Sequence, residues 1–205
     1  MWDRKEKPYV LVVFCAPFIW LVYSLLSGRY FPDPAEPFMT LSGIWASVFI
    51  CMSLSVTPLT KKFKSLRMIN RYRRFIGLAA FWYALVHLLA YLVLHAGFNL
   101  SWIQEDLLKR PYIYIGVLAF VILAALAITS PKAMVRKLGK RWKPLHKMVY
   151  IAALATLAHL WWQIKADSEI AIWFTPFLVI PLLLRIDFKK MKINAKNTCT
   201  KSTSH

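Results

Sequence analysis

The stretch RWKPLHKMVYIAALATLAHLWW, residues 141–162, decides how the rest of the chain is read. It is a basic segment running into an apolar run. That run carries two histidines, His146 and His159, with Lys147 the only charge between them. An apolar run of about 20 residues is what a helix needs to cross a bilayer. An ionisable side chain inside such a run is costly, and its presence points to function. The stretch therefore asks whether the whole chain is a membrane protein, and what its histidines hold.

Composition answers the first question. The chain has 205 residues, one domain's worth, and is 59% hydrophobic with mean hydropathy +0.48. Globular chains are about 45–50% apolar. Yet it carries 27 Lys and Arg against 9 Asp and Glu, a net charge of +18. Apolar runs and basic clusters must then be segregated along the chain. A nucleic-acid-binding protein of this charge needs a soluble body, and the apolar runs leave little of one. Cys15, Cys51 and Cys199 form no CxxC or CxxCH pattern, so covalent haem attachment and zinc ribbons have no support.

Working outward, six apolar segments of membrane-crossing length are expected at 8–27, 40–60, 74–97, 111–130, 145–164 and 169–186. The first follows a basic lead, MWDRKEK, but is longer than a signal-peptide core and has no A-x-A site after it, so it reads as a retained span. Basic residues then fix the orientation. Arg4, Lys5 and Lys7 precede span 1; Lys61, Lys62, Lys64, Arg67, Arg71, Arg73 and Arg74 lie before span 3. Seven more, Lys132 to Lys147, enter span 5, and six follow span 6 from Arg185. Only Arg29, Lys109, Arg110 and Lys165 fall on the other side. By the positive-inside rule both termini are cytoplasmic. The outer loops carry acids instead: Asp33, Glu36, Glu105, Asp106, Asp167 and Glu169. FPDPAEPF (31–38) reads as a proline-broken turn that cannot continue a helix. The expected organisation is an all-α membrane protein, a six-transmembrane-helix bundle over residues 1–190. A polar cytoplasmic tail follows over 191–205, with no soluble domain appended.

The histidines can be placed by depth. Spans 3 and 5 run in the same direction. At about 1.5 Å per residue, His87 lies roughly 20 Å beyond Arg73 and Arg74, and His159 roughly 20 Å beyond His146. His87 and His159 thus share an outer depth, while His146 sits near the inner surface with Arg73 and Arg74. Two histidines on facing helices at one depth can clamp a flat macrocycle from both sides, imidazole nitrogen being a good axial ligand for haem iron. Ala84, Leu88, Ala152, Ala155, Ala158 and Leu160 would shape the slot, although alanines also serve ordinary helix packing. Positions 146 and 159 end about 140° apart on a regular helix, so one straight helix would not aim both at one stack. The alternatives are a proton relay or plain hydrogen bonding to carbonyls. Relays usually include carboxylates, and all nine acids lie in loops, ends or tails, which favours haem. His95 reads as an interfacial histidine, and His205 lies in the tail.

Trp82, Tyr83, Tyr91, Trp102, Tyr112, Tyr114, Trp142, Tyr150, Trp161, Trp162 and Trp173 fall mostly near expected interfaces and read as an aromatic belt. There is no GxGxxG and no P-loop.

TSPKAMVRKLGKRWKPLHKMVYIAALATLAHLWW (129–162) closely resembles the corresponding part of the MsrQ (YedZ) family. So do RRFIGLAAFWYALVHLLAYL (73–92) and KRPYIYIG (109–116). The resemblance is strong over spans 3 to 5, and spans 1, 2 and 6 agree in layout. It implies a ferric-reductase-like haem-binding domain in a bacterial inner membrane, with one or two b-type haems and FMN. The chain would be an electron-transfer subunit rather than a stand-alone enzyme. Its partner would be a periplasmic molybdopterin enzyme that reduces oxidised protein methionines. Electrons would come from the quinone pool or a cytosolic flavin reductase. Carried over by position, His87 and His159 match the family's outer haem pair and His146 its third histidine. Arg73 stands where related two-haem domains have a histidine. Guanidinium stays protonated and is a poor ligand, so Arg73 better suits a haem propionate or a flavin phosphate. A ferric or quinone reductase with another acceptor, and a histidine-based proton-coupled transporter, are the competing readings.

Overall fold

The computed structural model describes residues 7–163 and 168–183, all helix and connecting turns. Helix α1 is Lys7–Leu26 and α2 is Ala35–Lys62. After a basic 3-10 segment, Lys64–Arg71, comes α3, Arg73–Ala90, which runs on through a π turn at Tyr91–His95. Then follow α4 (Leu100–Lys109), α5 (Tyr112–Ile128), α6 (Lys132–Leu138), α7 (Trp142–His146), α8 (Val149–Gln163) and α9 (Ser168–Leu183). The tail expected at 191–205 lies outside the described residues.

Two helix pairs build the molecule. Helix α2 packs along α3, and α5 packs along α8. The pairs meet mainly where α3 faces α5, with α9 lying against α2 and α8, and α1 against α2. The core runs through Leu21, Phe49, Ile50, Leu54, Tyr83, Ile122 and Leu178. Tyr83 is 1% exposed; it stacks on Phe49 and donates its hydroxyl to the Phe14 carbonyl at 2.8 Å, pinning α1 to α3. On α8 the interface is made of small residues, with Ala152 and Ala153 fully buried, which lets the backbones approach closely.

The outward faces are apolar too. Val12, Ile19, Val121, Leu154, Trp161, Phe177 and Ile180 all stand exposed. In water such continuous apolar surface would be anomalous; in lipid it is the required solvent face. Among the described residues, α2 and Arg73–His95 are each long and apolar enough to cross a membrane. The α4–α5 pair, bent by 106°, makes a third if it counts as one span. Helices α8 and α9 correspond to expected spans 5 and 6, whose ends at 164 and 184–186 lie outside the described residues.

Three local expectations are corrected. FPDPAEPF is only half a turn: α2 already begins at Ala35, inside it, with Pro37 in its first turn. The first four N–H groups of a helix have no intrahelical partner, so a proline there removes nothing. The Asp33 side chain accepts from the Ala35 N–H at 3.0 Å. The outer segment 100–109, taken as loop, is helix α4. Its start is capped by Asn99, whose side chain accepts from Ser101 and Trp102 N–H groups, a signal legible in the sequence. Finally, span 5 is not one helix. Beyond Pro144 the chain tightens, with Lys147 N–H bonding Pro144 O and Met148 N–H bonding Leu145 O, before α8 starts at Val149. The angular mismatch between His146 and His159 is therefore absorbed by a break at Lys147–Met148.

Candidate functional site

His87 on α3 and His159 on α8 meet across the seam between the two helix pairs. Their ring centres are 6.3 Å apart and the ring planes stand at 85°. Each ring is fixed from behind by a backbone carbonyl of its partner helix. His87 Nδ1 lies 2.8 Å from Met39 O on α2, and His159 Nδ1 lies 2.8 Å from Tyr112 O on α5. A carbonyl only accepts, so Nδ1 must carry the proton and Nε2 keeps its lone pair.

The approach to those carbonyls depends on two glycines. Gly43 stands four residues after Met39, and Gly116 four after Tyr112. A Cβ on Gly43 would come within 3.0 Å of His87 Nδ1, and one on Gly116 within 2.8 Å of His159 Cε1 and Nδ1. Residue i+4 covers the helical carbonyl of residue i, so only a missing side chain there lets an imidazole reach it. Both halves thus use one device: carbonyl at i, glycine at i+4, histidine from the packed neighbour. The sequence reading missed both glycines and both carbonyls. A glycine inside an apolar helix, where no turn needs one, is visible in the sequence, but the neighbour that requires it is not.

Between the histidines lies a cavity of about 270 Å³. Ala84, Leu88 and Leu160 line it as expected. Of the other slot residues, Ala152 and Ala155 are instead packed into the helix interface and Ala158 is exposed, because α8 turns a different face to the cavity. One end of the cavity is polar, lined by Glu36, Tyr91, His95, Arg110, Tyr112 and Gln163. His87, Tyr91 and His95 follow one another at four-residue spacing on the lining. A run of that spacing drifts round a regular helix. The wider π turn at Tyr91–His95 advances less per residue and carries His95 back to the cavity face. His95, expected to be a bland interfacial residue, is thus part of the lining. It stacks on Tyr91 and sits 3.5 Å from Asp106.

His146 is elsewhere. Its ring stacks on Trp142 with centres 4.0 Å apart, and its Nε2 lies 3.2 Å from Thr129 Oγ1. Trp142 in turn donates to Thr129 O. Arg73, exposed at the start of α3, acts on His146 through its charge, so the two share the inner end as the depth count expected. Several supposed belt aromatics also have other roles. Tyr83 is core, Tyr91 and Tyr112 line the cavity, and Trp142 backs His146. Trp82, Trp102, Tyr114, Trp161 and Trp162 are exposed, as a belt requires.

The family described as ferric reductase like transmembrane component matches residues 37–157, a segment containing His87, His146 and both glycines and ending two residues before His159. Over 179 residues the chain is 37% identical to the protein-methionine-sulfoxide reductase heme-binding subunit MsrQ of Polaromonas naphthalenivorans, covering 87% of this chain and 81% of that one. It is 38% identical over 170 residues to the protein of the same name from Brucella ovis, covering 83% and 76%. The chain belongs to the MsrQ family. It is an all-helical membrane protein with a ferric-reductase-like domain.

The geometry fits the group that those relatives' names include. Two imidazoles sharing one metal through bonds of about 2.0–2.1 Å on each side put their ring centres roughly 6 Å apart. The rings here are at that separation, with both Nδ1 atoms anchored on carbonyls and the Nε2 lone pairs left available, the arrangement usual for histidine ligands. Among the described residues no cluster of three or more His, Cys, Asp or Glu could cage a bare ion. A macrocycle needs only the two axial nitrogens from the protein.

Proposed function

We propose that the chain is a b-type haem subunit that carries electrons across the bacterial inner membrane to a periplasmic molybdopterin methionine sulfoxide reductase, for repair of oxidised protein methionines. The observation that carries this reading is the His87–His159 pair, 6.3 Å apart with both Nδ1 atoms on carbonyls. Family membership supports the assignment, since the relatives are named as haem-binding subunits of that reductase. The group would supply one-electron exchange between ferric and ferrous iron. The protein's part is to hold both imidazoles in one tautomer, exclude water with an apolar wall, and open the cavity at one polar end.

Six spans with both termini cytoplasmic put the polar end of the cavity outside, beside the partner. The quinone pool or a cytosolic flavin reductase is the donor. His146 and Arg73, at the inner end with a dense set of lysines and arginines, suit a second acidic cofactor, either FMN or a further haem. Arg73 there serves a phosphate or propionate rather than iron.

The deciding measurement is a reduced-minus-oxidised absorbance spectrum of protein purified from haem-supplied cells. A b-type signal is expected. His87→Ala and His159→Ala should each remove the main haem, while His146→Ala keeps it. Full haem content in both outer mutants would overturn the assignment.

A further inference from the structure

The polar end of the cavity is a built arrangement that the axial ligands do not explain. Arg110 is the one lysine or arginine among the described residues lining the cavity. It stands two residues before Tyr112, whose carbonyl anchors His159. Asp106, only 16% exposed, holds Arg110 from one side, Oδ1 to Nε at 3.4 Å. Its other oxygen takes the Tyr91 hydroxyl at 3.2 Å and faces His95 Nε2 at 3.5 Å. A guanidinium offers five N–H donors in a planar fork. Contact through Nε leaves the terminal Nη groups for a second acceptor.

The same end is charged unevenly. Glu36, three residues before the Met39 carbonyl that anchors His87, lines the cavity from the α2 side, while Arg110 lines it from the α5 side. An acceptor entering between them would be repelled at α2 and received at α5. The rest of the wall is mostly apolar, with Ala84, Leu88, Ile113 and Leu160, beside Thr40, Ser47 and Thr156. The cavity is therefore matched to a flat apolar body with anionic groups on one edge.

We propose that Arg110, braced by Asp106, is the cation that receives the carboxylate edge of the haem and fixes which way that edge points. The proposal rests on the reading of His87 and His159 as its axial ligands. Asp106 is a positioning residue here, and Tyr91 and His95 hold Asp106. A fixed, pre-oriented guanidinium gives a charge-assisted pair without the ordering cost of a free side chain.

The test separates the two levels. Protein made in haem-limited cells is titrated with haem b and with its dimethyl ester, which has the same macrocycle and no carboxylates. Wild type should bind haem b roughly tenfold or more tighter than the diester. Arg110→Gln should lose that preference by binding haem b more weakly while holding the diester as before, and Arg110→Lys should keep part of it. A second readout covers a fragile apo form. In haem-loaded protein from cells, Arg110→Gln should lower the midpoint potential, because uncompensated carboxylates disfavour the extra electron. Arg110→Lys should lower it less. Equal weakening toward both porphyrins, or an unchanged preference and potential, overturns the clamp. Failure of wild type to bind either porphyrin overturns the axial-ligand reading beneath it.

Discussion

The α2–α3 and α5–α8 pairs carry the same device on different scaffolds. In each, a carbonyl and a glycine four residues later receive a histidine from the packed neighbour. The first pair is long, with 28 residues in α2 and an apolar run from Arg73 to His95 in α3. It is backed by the aromatic stack of Phe14, Phe49 and Tyr83. The second has 17 residues in α5 and 15 described residues in α8, and the buried residues of α8 are alanines. Its clearance is also tighter, 2.8 Å at Gly116 against 3.0 Å at Gly43. The ring geometry of both histidines is fixed locally by glycine and carbonyl, while each half finds its rigidity differently. The first fills space with rings, and the second brings backbones together.

The largest effects are expected at the glycines. Gly116→Ala should push the His159 ring off Tyr112 O and reduce haem affinity by roughly ten- to hundredfold, as losing an outer partner of a metal ligand does. Gly43→Ala should cost less, since its neighbour has a few tenths of an ångström more to give. Haem content per protein checks both, and a larger loss in Gly43→Ala would contradict the order. Next comes packing. Ala153→Leu on the fully buried face of α8 should destabilise by about 1–3 kcal/mol through overpacking, read as a lower thermal midpoint in detergent. The same enlargement at exposed Leu154, as Leu154→Phe, should be near neutral. Smaller again, Tyr83→Phe removes the hydroxyl bond to Phe14 O and should cost about 0.5–1.5 kcal/mol with haem content unchanged. A loss of haem would mean that the aromatic stack, not the glycine and carbonyl, sets His87. The mildest test is spectroscopic. With ring planes at 85°, the ferric protein should give the strongly anisotropic low-spin EPR signal of perpendicular imidazoles. A rhombic signal of parallel rings would show that the two halves turn on binding.

Much of this was legible beforehand, for identifiable reasons. Helix existence follows from apolar runs, and basic clusters mark one side of them. The His87–His159 pairing follows from counting residues along two spans at fixed rise. The break at Lys147–Met148 was half legible, since the angle between His146 and His159 demanded some departure from a regular helix without locating it. Gly43, Gly116 and the two carbonyls were not legible, because a glycine acts there by what a different helix puts beside it. His95 lies at the outer end of span 3, as its depth implies, but its place in the cavity lining was not legible, because the π turn that returns it to that face is a local exception to 3.6 residues per turn.

By itself the sequence determined that this chain is a basic, all-helical membrane protein of the MsrQ family, with two histidines at one depth. Those properties depend on composition, hydropathy and rise per residue, which are additive along the chain. Only the tertiary structure decided that the rings stand 6.3 Å apart with their Nδ1 atoms on carbonyls. Only it decided that His146 stacks on Trp142 beside Thr129 and that Arg110 is held at the cavity's polar end by Asp106. These depend on which helix faces which and at what clearance. A few tenths of an ångström between chain segments 40 or more residues apart is set by packing, not by any local pattern.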